Sequence, residues 1–234
     1  MPTPVKKFTC LRCGACCRTF QSENSAKPGS FVSPITYLLN EQHLSLYDWE
    51  VKGFREELAK INAGRKVLPS VAFIDLKNKR LIAVNYTLDG ENCPFLKDNM
   101  CIIYNKRPIA CRQFPCVPSQ ADVLFNYRTF HYNINDLCGF ERIDNTLRKR
   151  LEEIKDDEKA IKKVLEERYG EAYHYNVRAH RFNKVLSRFI NELEQKGEVK
   201  LARRGDNLKD IPSKIKGFGI VNVSDLNKDL FFGE

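Results

Sequence analysis

Phe8-Thr9-Cys10-Leu11-Arg12-Cys13-Gly14-Ala15-Cys16-Cys17 is the stretch around which the rest of the chain is organised. It sets four thiols, Cys10, Cys13, Cys16 and Cys17, within eight residues. A second group, Cys93, Cys101, Cys111 and Cys116, follows much later, and Cys138 stands alone after it. Soft thiolates select zinc or iron–sulfur clusters. The C-x2-C-x2-C spacing of Cys10, Cys13 and Cys16 matches the first three thiols of bacterial ferredoxin-type cluster loops. Structural zinc sites more often join two separated C-x2-C knuckles, and the sequence holds no second one. Gly14 permits a tight turn that a Cβ would hinder. Cys16 and Cys17 are adjacent, so their side chains diverge, and both cannot easily close one small centre with Cys10 and Cys13. The stretch therefore reads as half of a bipartite site completed from residues 93–138. One centre or two both satisfy this reading.

Compartment and charge bound the remaining options. The chain has 234 residues, enough for a real core, so cysteines are not needed to rescue a tiny fold. Met1 to Phe8 is basic and contains proline, with no apolar h-region, and no run approaches the length of a membrane helix. We expect a cytoplasmic protein with no membrane span. In the reducing cytosol, nine cysteines are ligands or redox groups rather than disulfides, and an odd number cannot pair fully within one chain. The net charge of +9 admits weak attraction to nucleic acid. The alternation of Lys and Glu through 148–168 is better read as a solvated helix face. A protein or redox partner is the expected partner class.

Arg12, Arg18, Arg107 and Arg112 flank the cysteines and could offset thiolate charge or donate to sulfur. His43, His131, His174 and His180 are scattered, and none makes an i, i+4 pair with another. No P-loop, Rossmann glycine fingerprint, H-E-x-x-H or G-x-S-x-G occurs, so no catalytic residue can be named.

The expected fold class is α+β: a small cysteine-rich metal-binding domain with a β-hairpin and short helices, then a long C-terminal helical hairpin. Ser33-Pro34 reads as an N-cap with proline at the first helical position, opening a short helix through Ile35, Leu38 and Leu39. Leu46 to Ile61 reads as a longer helix. Ser70 to Tyr86 alternates as a hairpin turning at Lys77-Asn78-Lys79, and delivers the chain to Cys93. Prolines and polar turns break residues 93–116 into short pieces. Val123 to Tyr132 has strand composition. A helix capped at Asp144 or Thr146 runs through Leu165, Gly170 ends it, and Glu171 to Lys196 forms a second. Ile220, Val221 and Val223 suit a short strand, and Leu230, Phe231 and Phe232 suit docking onto the body. These features divide the chain into a cysteine-cluster domain, 1–143, and a helical hairpin with a basic tail, 144–234.

The motifs also carry a resemblance. Phe8 to Arg18 resembles the signature of the CxxCxxCC cysteine-cluster family, also called the YkgJ family. The second signature is similar too: Cys93-Pro94-Phe95-Leu96, Cys101-Ile102-Ile103-Tyr104, Arg107-Pro108 and Cys111-Arg112-Gln113-Phe114-Pro115. Cys138-Gly139 resembles the family's later Cys-Pro-Gly turn without its proline. The family is described as zinc- or iron-chelating, or as iron–sulfur-containing. The resemblance implies metal ligation by Cys10, Cys13, Cys16, Cys17, Cys93, Cys101 and Cys111, with Cys116 and Cys138 as alternatives for a further ligand. An iron–sulfur cluster such as 4Fe-4S, with electron transfer or oxidoreductase chemistry, is the first expectation. A zinc-stabilised, non-catalytic binding module is the alternative.

Overall fold

The computed structural model describes residues 4–11, 14, 17, 27–41, 43–90, 92–117, 133–134, 138, 140, 146–206 and 211–227. In chain order, β1 (Ser30–Phe31), β2 (Thr36–Leu38) and β3 (Leu44–Tyr47) lead into helix α1 (Asp48–Lys60). Then come β4 (Val67–Asp75) and β5 (Arg80–Leu88). The second cysteine segment holds β6 (Leu96–Lys97), β7 (Met100–Cys101), a 3-10 turn at Tyr104–Lys106, α2 (Ile109–Arg112) and β8 (Cys116–Val117). After β9 (Asn133–Ile134) follow helices α3 (Thr146–Glu153), α4 (Glu158–Tyr169) and α5 (Glu171–Gln195). The chain closes with α6 (Ile211–Lys214), β10 (Gly219–Asn222) and α7 (Val223–Leu226). The protein is thus mixed α and β.

The β4–β5 hairpin is the spine. Its residues are β-branched and aromatic on both faces, as a doubly covered strand pair requires. The antiparallel register runs from Val67↔Leu88 to Asp75↔Arg80, with irregularities around Val71. β2 adds to the outer edge of β4, and β1 adds to β2. The far edge of β5 is shared end to end: β3 pairs antiparallel with Asn85–Leu88, and β10 pairs parallel with Arg80–Ala83. At the β4–β5 turn, the buried Asp75 carboxylate accepts from Asn78 Nδ2 at 2.6 Å and Arg80 Nε at 3.0 Å. It also accepts from the Lys200 main-chain N–H at 3.2 Å, fastening the turn to the chain after α5.

Helices cover the sheet. Phe54 and Leu58 of α1 pack with Leu44, Leu46, Val67 and Leu88. The α5 residues Tyr173, Asn176, Ala179, Asn183, Leu186 and Ile190 form a buried stripe at helical spacing, and Leu186 and Ile190 meet Phe73, Ile82 and Val84. Gly170, at φ +52°, supplies the left-handed turn between α4 and α5. The C-terminal residues therefore share cores with the sheet and give it a strand. Among the described residues, no helix is long and apolar enough to cross a membrane.

Several expectations change. The stretch after Ser33 is strand β2 rather than a helix. Ser33 Oγ does accept from the Thr36 N–H at 2.9 Å, as an N-cap would. However, Thr36 and Tyr37 favour extended backbone, and the open edge of β4 offers them a ladder. Leu46 belongs to β3, and α1 begins two residues later. The helix expected from residue 144 onward is interrupted: Asp157 accepts from the Ala160 N–H at 3.0 Å and starts α4 afresh. Val223 opens α7 instead of ending the strand. The expected strand at Val123–Tyr132 and the docking of Leu230, Phe231 and Phe232 lie outside the described residues.

Candidate metal centre

Four thiols from the two cysteine segments come together: Cys17, Cys93, Cys101 and Cys111. Cys17 arrives by a turn. Its N–H donates to Gly14 O at 3.0 Å, and Gly14 holds φ +70°. A Cβ on Gly14 would stand 3.4 Å from Leu96 Cδ1, so the turn lies directly against β6. The Cys17 carbonyl then accepts from the Cys93 N–H at 3.1 Å, which joins the two segments main chain to main chain.

Cys101 is carried by the β6–β7 hairpin, where it stands opposite Leu96. The turn residues Asp98 and Asn99 both have positive φ, the geometry of a tight hairpin. Phe95, fully buried, pins the base of this hairpin edge-on against Phe54 of α1 at 5.3 Å. Cys111 sits on the single-turn α2, whose Ile109 N–H donates to Glu50 Oε1 of α1 at 2.7 Å.

The electrostatics mark these thiols as one group. A hydrogen bond shared with Cys17 pushes the Cys93 thiol far above its ordinary range, and burial and the charges of Cys111 and Cys17 add to it. Burial raises Cys111 strongly, and Cys17, Cys101 and Glu50 raise it further. Burial and Cys17 raise Cys101. Without a cation, these sulfurs cannot all be thiolates together. Three features run the other way and favour sulfur charge. The N–H of Phe95 reaches the Cys93 sulfur, the N–H of Ile103 reaches the Cys101 sulfur, and Arg107 lowers both Cys101 and Cys111. An N–H from two residues on, aimed at a cysteine sulfur, orients and stabilises a metal-binding thiolate. The donor set thus suits a soft metal. Among the described residues, no three His, Cys, Asp or Glu side chains already stand at single-ion spacing. The Cys93 and Cys17 thiols instead share a hydrogen bond.

The other sequence candidates divide. Cys10 is exposed and Cys138 is buried. Each lies two residues from one of a pair of touching aromatic rings, Phe8 and Phe140, whose centroids are 5.4 Å apart. The Cys116 backbone pairs with Ile134. Cys13, Cys16, Arg12, Arg18 and His131 lie outside the described residues. Arg107 stacks on Tyr104 at 3.7 Å, and Arg112 donates to the Arg107 and Asn105 carbonyls and to Tyr175 Oη. His43 stands 3.7 Å from Glu41, and His174 stands 3.6 Å from Glu166.

Sequence reading missed Glu50. Burial pushes its carboxyl up, while the N–H groups of Tyr47 and Ile109 and the charges of Arg112 and Arg178 pull it down. It reads in sequence as an ordinary helix-face acid, and nothing local marks its reach to α2.

A family model described as "CxxCxxCC: Putative zinc- or iron-chelating domain" matches residues 9–139. Searches among curated proteins and among solved structures match nothing.

Proposed function

The chain belongs to the CxxCxxCC family of zinc- or iron-chelating domains, and from that premise we propose that Cys17, Cys93, Cys101 and Cys111 hold an iron–sulfur cluster. The observation that carries this reading is the main-chain bond from the Cys93 N–H to the Cys17 carbonyl at 3.1 Å, which brings the two cysteine segments together beside Cys101 and Cys111. Such a cluster supplies one-electron chemistry, tuned by hydrogen bonds to sulfur and by solvent exposure. Met100 and Ile102, on either side of Cys101, are each about half exposed, at 51% and 49%. The thiol group therefore lies close beneath the surface, where a redox partner protein could reach it. The thiols Cys10, Cys13, Cys16, Cys116 and Cys138 remain candidates for further ligands or a second centre. In this reading the site lies in residues 1–143, the protein works in the cytoplasm, and no reaction of a small-molecule substrate is assigned.

Zinc is the second reading. The observation that favours it is the partly buried, thiol-only donor set, which is the chemistry of closed structural zinc sites. Elemental analysis of anaerobically purified protein separates the two. Iron with acid-labile sulfide supports the cluster. Stoichiometric zinc with no sulfide, persisting after anaerobic reconstitution with iron and sulfide, sinks it.

A further inference from the structure

Among the described residues, each cysteine segment has an arginine that ties it to the C-terminal helices. Arg112 follows Cys111 directly. Its Nε donates to the Arg107 carbonyl at 2.7 Å, and its Nη2 donates to the Asn105 carbonyl at 2.5 Å. Both carbonyls belong to the turn that carries the chain from Cys101 to Cys111. The third arm, Nη1, crosses to α5 and donates to Tyr175 Oη at 2.6 Å, with Glu171 of the same helix at 4.0 Å. One planar fork thus fixes the spacing of two thiols and docks them on a helix more than sixty residues away in sequence.

Arg168 does the corresponding work for the first segment. It lies on α4 and is 1% exposed. Its Nη1 donates to the Lys6 carbonyl at 2.9 Å, and its own carbonyl accepts from the Phe8 N–H at 2.7 Å. Its guanidinium stands 5.0 Å over the Phe140 ring, and Phe8 packs into the cluster of Leu147, Leu151, Leu165 and Tyr169. The chain is therefore held at Phe8, and again where the Cys17 carbonyl meets Cys93. These two anchored residues bracket the first four thiols in sequence.

We propose that Arg112 and Arg168 are positioning residues for the metal centre, each gripping one cysteine segment by its main chain, so that α4 and α5 form part of the site's supporting wall. The proposal rests on the metal reading above. Ligand segments that are already ordered lose less conformational freedom on binding, and affinity rises accordingly. Groups that orient ligands without touching metal are commonly worth about 10–100-fold in metal affinity. Lysine cannot replace Arg112, because one ammonium cannot span two carbonyls and a phenol as the planar fork does.

The test uses full-length protein titrated anaerobically with Co2+ against a competing chelator. Binding is followed by sulfur-to-cobalt charge-transfer absorption, and the metal-free melting temperature is measured in parallel. Arg112→Ala and Arg112→Lys should both weaken Co2+ binding by about 10–100-fold. Tyr175→Phe, which keeps the ring and loses one hydrogen-bond partner, should weaken it by a smaller factor. Arg168→Lys should weaken it as well; should that variant fail to fold, Phe8→Ala loosens the same anchor. Arg112→Lys binding Co2+ within twofold of the wild type would overturn the clamp while leaving the metal reading intact. An affinity loss fully accounted for by a lower metal-free melting temperature would also overturn it, since the residue would then be merely structural. A wild type that gives no charge-transfer band overturns the metal reading and the clamp together.

Discussion

Two hairpins in this molecule are built on opposite terms. β4 and β5 each run nine residues, pair along their whole length apart from the irregularity around Val71, and are covered on both faces. β6 and β7 run two residues each and carry Cys101 at the end of the second strand. A hairpin that short is not stable alone. It is held from outside: Phe95 sits in the core beneath it, Glu50 of α1 accepts from the Ile109 N–H of α2, Arg112 reaches across the following turn, and the Cys17 carbonyl accepts from Cys93. The sheet stands by its own ladder and apolar burial. The thiol segment stands by side chains reaching main chain, and metal is the natural remaining tie. Metal and folding free energies should therefore be linked in the second region and nearly independent in the first.

The largest effect should come from the sheet. Leu186 is fully buried against it, and Leu186→Ala should cost about 2–5 kcal/mol by chemical denaturation. That cost should be the same with and without chelator. A cost that vanishes in chelator would mean that the sheet, too, depends on metal.

Cys111→Ser should abolish stoichiometric metal while leaving the melting temperature of chelator-treated protein almost unchanged. Retained metal at wild-type stoichiometry would remove Cys111 from the site. Metal binding should also depend steeply on pH. The Cys93, Cys101 and Cys111 thiols are pushed above their ordinary range, so the metal-free protein keeps them protonated at neutral pH. Binding must displace those protons, and affinity should rise by more than about tenfold per pH unit as the solution becomes more alkaline. A flat profile across neutral pH would contradict thiolate ligation by this group.

Asp75 offers a smaller test on the sheet side. Burial alone would raise its carboxyl, but Asn78, the Lys200 N–H and Arg80 outweigh burial and hold it below the ordinary range. A carboxyl depressed in the folded state stabilises above its unfolded pKa, and that contribution is lost as pH falls through the folded value. Asp75→Asn should cost about 2 kcal/mol at neutral pH and progressively less on acidification. A cost that does not change with pH would show that the charge of Asp75 is irrelevant. The smallest effect belongs to Lys106. It meets Glu57 at 2.7 Å on the exposed rim, and Lys106→Ala should leave both stability and metal content unmoved within error.

The sequence made the spine legible because β-branched alternation between Ser70 and Tyr86 has one good reading, and because the turn at Lys77–Lys79 interrupts it cleanly. It made the thiols legible because clustered cysteines in a chain of this size need a reason. It failed at Ser33, where a local cap signal was real but the edge of β4 claimed the next residues. It also could not foresee which thiols meet. Cys17 reaches Cys93 through a main-chain bond, and Glu50, Arg112 and Arg168 act over separations of 59, 63 and 162 residues. Contacts at such distances leave no periodic trace in one sequence.

X-ray absorption at the edge of the bound metal tests the central claim most directly. The account predicts a first shell made of sulfur alone, with thiolate sulfur lost in Cys17→Ser. A first shell dominated by nitrogen or oxygen, or one unchanged in Cys17→Ser, would contradict it.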